Sequence, residues 1–123
     1  MTRKTAVVIC PGRGTYNATE LGVLGRHFPD PKLLDRFNAI RQDAGQDSLT
    51  ALDDAEKFSL ARHSRGDNAS GLIFAATYGD FVSIDHEAIE VVAVNGNSMG
   101  WYSALACTGA TTPENGFRIA NTM

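Results

Sequence analysis

The chain has 123 residues, long enough for one domain with its own core and too short for two. Hydrophobic residues make up 43% and charged residues 20%, which places it among ordinary globular proteins. The formal net charge is −3, and Lys and Arg are scattered rather than clustered, so the electrostatic footprint of a nucleic-acid binder is missing.

The opening, MTRKTAVVICPG, pairs a basic stub with an apolar run. The run covers only Ala6 to Cys10 before Pro11-Gly12, too short for a secretory signal or a membrane span. A cytoplasmic protein is expected, with Cys10 and Cys107 as reduced, half-buried small hydrophobes. Neither a disulfide nor a metal site is expected from two cysteines without histidine spacing. Residues 5–10, TAVVIC, form a continuous apolar, β-branched run ended by Pro-Gly, the pattern of a buried parallel strand.

The glycine-containing loop PGRGTYN follows, then a predicted helix from about Thr19 to Phe28, ended by PDP. Asp30 is placed to cap the next helix, with Pro31 in its first position, and Gly45 stands where a C-terminal cap belongs. Leu33, Leu34, Phe37 and Ile40 share one face of that helix. A more polar helix is predicted over Leu49 to about Leu60, with Asp53, Asp54 and Glu56 as a solvated face. RHSRGDN reads as a loop.

Asn68 or Ser70 starts a long apolar helix containing Leu72, Ile73, Ala76, Phe81 and Val82. SIDHE is a connection, and Asp85, His86 and Glu87 within it are adjacent in a loop rather than convergent on a metal. IEVVAV is the second strand. A helix from Ser98 to Thr108 presents Met99, Tyr102, Leu105 and Ala106 as its apolar face and is stopped by Gly109. Thr112 or Thr111 caps a last helix, with Pro113 in its first turn, still running at Met123.

Strands separated by helices indicate an α/β architecture with a parallel sheet. Two strands alone leave both sheet edges unpaired and most helix faces without a partner, so the expected arrangement is a truncated one.

Residues 96–100, GNSMG, fit G-x-S-x-G, the nucleophile elbow in which a sharp strand-to-helix turn lifts the serine out of the backbone. Gly96 and Gly100 are the elbow glycines, because side chains there would strike neighbouring backbone. EVVAV supplies the strand before Ser98, and the N–H of Met99 is free to stabilise an oxyanion.

Beyond the motif, GNSMGWYSALACTGA resembles the G-H-S-x-G-E-Y-S-A-L segment of malonyl-CoA:acyl-carrier-protein transacylases. VVICPGRGTYNATELG resembles the F-P-G-Q-G-S-Q segment that begins the same proteins, and ASGLIFAATYGDF resembles the helix between them. The resemblance spans nearly the whole chain, weakest between His27 and Asn68. It implies the N-terminal portion, here residues 1–123, of an α/β-hydrolase-like acyltransferase acting in fatty acid biosynthesis.

The chemistry that the resemblance implies is a ping-pong one. Ser98 takes a malonyl or related acyl group from coenzyme A and passes it to the phosphopantetheine thiol of acyl carrier protein. Acyl-CoA is then a substrate, malonyl-CoA being the expected donor, and no resident cofactor is expected. The oxyanion hole would use the backbone N–H groups of Met99 and of Arg13, which stands at the glutamine position of P-G-Q-G.

Asn97 and Trp101 replace the family's histidine and glutamate beside the serine, which leaves the acyl group open. The family's carboxylate-binding arginine falls at Thr122 or Met123, and Arg118 is one turn too early to take its role. The family's histidine base follows the serine in chain order, whereas His27, His63 and His86 all precede Ser98 and read as surface residues. The chain therefore carries the nucleophile half of a site, with the base expected from a missing C-terminal portion or a second chain. Three other readings are a serine esterase of α/β-hydrolase type, a catalytically inactive relic or accessory chain, and a nucleotide-binding module built on PGRGTYN. The last lacks both G-K-[ST] and a third glycine.

Overall fold

The computed structural model describes residues 3–122. Strand β1 (Lys4–Cys10) is followed by a single 3₁₀ turn (Ala18–Glu20) and helices α1 (Val23–His27), α2 (Pro31–Asp43), α3 (Leu49–Asp53), α4 (Leu60–His63) and α5 (Gly66–Val82). Strand β2 (Ile89–Gly96) and helices α6 (Gly100–Cys107) and α7 (Pro113–Asn121) complete the chain. The architecture is mixed α/β with a small parallel sheet, as the alternation of strand and helix patterns implies. Among the described residues no helix is long and apolar enough to cross a membrane.

The two strands pair in parallel from Lys4 opposite Ile89 to Cys10 opposite Gly96. Ala6 faces Val91 and Val7 faces Ala93, so Val92 is an extra residue bulged out of the ladder. Alternate residues of β1 point to opposite faces. Cys10 is fully buried on the helix side, while Val7 and Ile9 on the other side are 58% and 68% exposed. One face of the sheet is covered and the other is bare.

The core lies among the helices. Helix α5 has no single apolar face over its middle, as suits a stretch buried all round: residues 68–75 are buried without a break, while Asp80 and Val82 near its end are exposed. It packs on α7, α6, α1 and α3. At the centre Phe37 stacks on Phe117 with ring centroids 4.4 Å apart, and Phe74 meets Phe117 edge to face at 5.7 Å.

Local signals explain several helix ends. Asp30 accepts the Leu33 N–H at 3.1 Å with Pro31 behind it, and Gly45 takes a left-handed φ of 74° just past the end of α2. Thr112 rather than Thr111 caps α7, accepting the Asn115 N–H at 3.1 Å. Helix α7 ends at Asn121 with Thr122 as its C-cap, and Met123, to which the helix was expected to run, lies outside the described residues.

Elsewhere the structure corrects the sequence pattern. The segment predicted as one helix over Thr19–Phe28 breaks at Gly22, whose φ is 87°. The helix predicted over Leu49–Leu60 stops at Asp53, and α4 begins only at Leu60. RHSRGDN is therefore not a loop throughout but holds the end of α4 and the start of α5. Helices α3 and α4 each have their own serine cap. Ser48 accepts the Ala51 N–H at 3.1 Å, and Ser59 accepts the Arg62 N–H at 3.3 Å.

Helix α6 begins at Gly100 rather than Ser98, and Leu105, assigned to its apolar face, is 42% exposed. The face that packs inward carries Ser103, Ala104 and Ala106. Ala106 meets Gly116 of α7, and α6 packs on α7, β2, α5 and β1.

Buried polar groups tie the helices together. Arg41 is fully buried and donates to the carbonyls of Asp47 and Asp67 and to the side-chain oxygens of Asn68 and Asn121. Burial pulls its pKa down from the usual arginine value. Its bonds join α2, α5 and α7 at one point.

Candidate active site

Ser98 stands at the turn between β2 and α6 with φ of 55°, the one non-glycine residue with positive φ among the described residues. A left-handed conformation at a residue with a Cβ stores about 1–2 kcal/mol of strain, and such strain gathers at functional positions. Ser98 is exposed and Met99 behind it is buried, so the turn presents the hydroxyl outward while its neighbour anchors the helix.

The elbow glycines are sterically required. A Cβ on Gly100 would lie 2.1 Å from the Cys10 carbonyl oxygen, and one on Gly96 would lie 2.4 Å from the Trp101 nitrogen. Backbone therefore meets backbone where β1, β2 and α6 converge. The Asn97 N–H donates to the Cys10 carbonyl at 3.0 Å across the same seam.

Gly12 is a third requirement that the sequence pattern alone left unexplained. Its missing side chain would sit 2.8 Å from the Asn97 oxygen and 3.2 Å from the Ser98 Cβ. The signal was present as the glycine of P-G-R-G, but the surface it approaches comes from the far end of the chain. The structure thus brings the PGRG loop directly against the serine turn, with Arg13 adjacent to Gly12 and exposed. Neither the Met99 N–H nor the Arg13 N–H has a backbone acceptor among the described residues.

The loop is braced from within. Thr15 Oγ1 donates to the Gly12 carbonyl at 3.1 Å, and Asn17 Nδ2 donates to the Gly14 carbonyl at 3.1 Å. Tyr16 turns inward, 4% exposed, and its hydroxyl donates to Asp53 Oδ1 at 2.6 Å. Burial, reinforced by that bond to the Asp53 carboxylate, holds the phenol protonated well above its usual range.

Asp53 is accordingly a correction: it is buried, not part of a solvated face. Besides Tyr16 it accepts the N–H groups of Gly22, Leu24 and Gly25, each at 3.1 Å. It caps α1 from outside, which explains why the chain starts a new helix after Gly22. Asp54 and Glu56 are exposed as expected.

His63 is also a correction, being 1% exposed rather than at the surface. Its ring lies between Tyr16 and Phe58, stacked on both. Nδ1 accepts the Ser59 N–H at 3.0 Å and Nε2 lies 2.8 Å from the Leu52 carbonyl, an arrangement that assigns the proton to Nε2. Both nitrogens are committed to backbone.

His27 is exposed at the end of α1. His86 precedes β2, and the strand's eight residues carry the chain about 25 Å along before Ser98. The structure brings His86 and Ser98 to opposite ends of the sheet.

Of the remaining residues flagged by sequence, Asn97 and Trp101 are exposed beside Ser98, Trp101 at 52%. Arg118 bonds Asn115 on its own helix at 2.8 Å. Cys10 and Cys107 are free; Cys10 is fully buried and Cys107 half-buried. Pairing with the Cys107 thiol lowers Cys10, and the same pairing together with burial raises Cys107, relative to an ordinary thiol. A cavity of about 360 Å³ flanks the loop, lined by Val8, Pro11, Thr15, Tyr16, Ile73 and Phe81. Neither Ser98 nor Met99 reaches it, so it lies apart from the serine turn.

No family model matches the sequence, and no curated protein matches it. In structure the chain is similar to an acyl-carrier-protein S-malonyltransferase from Burkholderia pseudomallei 1710b, with a TM-score of 0.69 and 20% identity. The superposition covers 96% of this chain and 36% of that protein. The likeness is one of fold, and the chain spans little more than a third of its neighbour's length.

Proposed function

We propose that the chain supplies the nucleophile half of an acyltransferase that moves a malonyl or related acyl group from coenzyme A to acyl carrier protein. In the first step Ser98 Oγ bonds to the thioester carbonyl carbon, and the carbonyl becomes an oxyanion held by the Met99 and Arg13 N–H groups. Collapse breaks the C–S bond, and the CoA thiolate takes up the proton that the serine gave up. In the second step the phosphopantetheine thiol attacks the Ser98 ester, releasing the serine and carrying the acyl group away. Acyl-CoA and acyl carrier protein are thus substrate and acceptor, and no resident cofactor enters.

The observation that carries this reading is the left-handed Ser98 between β2 and α6, with the Gly12–Arg13 peptide packed beside it. The fold likeness to a malonyltransferase supports it. No histidine of this chain takes the base role, because His63 is committed to backbone and His27 and His86 are surface groups away from the serine turn. The base belongs to polypeptide outside these 123 residues.

Incubation with malonyl-CoA and, separately, with a fluorophosphonate probe, followed by peptide mass mapping, tests the assignment. With the polypeptide bearing the base present, the probe should modify Ser98 alone within this chain, and Ser98→Ala should abolish the adduct. Transfer to acyl carrier protein by this chain alone should be lower by about 10²–10⁴-fold than with a base present, the usual contribution of general-base assistance. An adduct that persists in Ser98→Ala would overturn the reading.

A further inference from the structure

The peptide joining Gly12 to Arg13 is planar, so the Gly12 C=O and the Arg13 N–H point in opposite directions along one rigid unit. Whatever fixes the oxygen therefore fixes the direction of the N–H. Thr15 Oγ1 holds that oxygen at 3.1 Å, and Asn17 holds the Gly14 carbonyl, two residues on, at the same distance.

The brace needs an anchor, because the loop contains two glycines, one of them with φ of 99°, and would otherwise sample many conformations. Tyr16, next to Thr15, provides it. Its ring is buried against His63, and its hydroxyl ends on the Asp53 carboxylate, which three further N–H donors hold in place. A carboxylate accepting four hydrogen bonds has its lone pairs fully engaged and cannot swing.

We propose that Thr15, Tyr16 and Asp53 are positioning residues that set the direction of the Arg13 N–H before any substrate arrives. The assignment rests on the reading of Arg13 as an oxyanion donor. A preset donor costs no reorganisation when charge develops on the substrate oxygen, which is where such groups derive their effect. Asp53 therefore acts at the site from within the core, touching no reacting atom.

Two readouts test this, the ¹⁵N order parameter of the Arg13 amide in the 123-residue chain and the rate at which the fluorophosphonate probe modifies Ser98 once the polypeptide bearing the base is present. Thr15 is exposed, so Thr15→Val deletes the hydroxyl with its volume kept and leaves the core untouched. In Thr15→Val and in Tyr16→Phe the Arg13 order parameter should fall from about 0.85 to below about 0.6, with α5 and α7 unchanged. The labelling rate should fall at least tenfold, and Thr15→Ser should restore both. Asp53→Asn should resemble Tyr16→Phe at Arg13. An Arg13 amide that stays ordered in Thr15→Val and Tyr16→Phe overturns the proposal, as does loosening spread evenly through α5 and α7. Order lost with the labelling rate intact would keep the brace but remove the oxyanion role from Arg13, and that result counts against the proposed function instead.

Discussion

At the scale of single residues, the conformation of Ser98 has a thermodynamic signature separable from its chemistry. Ser98→Ala retains a Cβ in the left-handed region, whereas Ser98→Gly removes it and the strain with it. The glycine variant should be about 1 kcal/mol more stable than the alanine variant, or roughly 4 °C higher in Tm, while both lose the probe adduct. Thermal unfolding of the pair measures this, and equal Tm values would mean that the turn is relaxed. The G-x-S-x-G pattern was legible at this scale because elbow geometry is local and demands glycine at fixed offsets. Asp53 and His63 were not legible. Asp and Glu beside one another on a polar stretch suggest solvent, and only the arrival of Tyr16 and the Gly22–Gly25 amides from elsewhere makes Asp53 a buried hub.

At the scale of elements, what was legible followed the same division. The boundaries of α2 could be read from Asp30, Pro31 and Gly45 because caps act within a few residues. The break at Gly22 and the split between α3 and α4 could not, since the first depends on a cap donated by another helix. Arg41 belongs here, as the residue that ties α2, α5 and α7. Replacing it by methionine keeps much of the volume but leaves four acceptors unpaired, two buried and two part-buried, each buried one worth about 1–3 kcal/mol. Arg41→Met should therefore cost at least about 3 kcal/mol in a denaturant titration, with the midpoint reduced and the slope unchanged. A loss below 1 kcal/mol would show that water satisfies those acceptors.

At the scale of the whole molecule, the imbalance between a complete helical core and a one-faced sheet dominates. Parallel sheets are ordinarily covered on both sides, yet Val7, Ile9 and Val92 are each more than half exposed. Ile9→Thr should cost under about 0.5 kcal/mol of stability, the range for a surface substitution, because Ile9 buries little. A larger loss by denaturant titration would mean that the face is covered in solution. The two-stranded ladder could be read from the alternation of patterns, but its bare side could not, because both faces of each strand are equally apolar in sequence. The seam between the Cys10 carbonyl and the Asn97 N–H, finally, joins the chain's first strand to its last third. The serine turn therefore has no purely local support: its geometry depends on two segments almost ninety residues apart being held together. Gly12, Gly96 and Gly100 meet their neighbours there only while β1 and β2 stay paired, so chemistry at Ser98 should be lost in the same denaturant transition as the sheet.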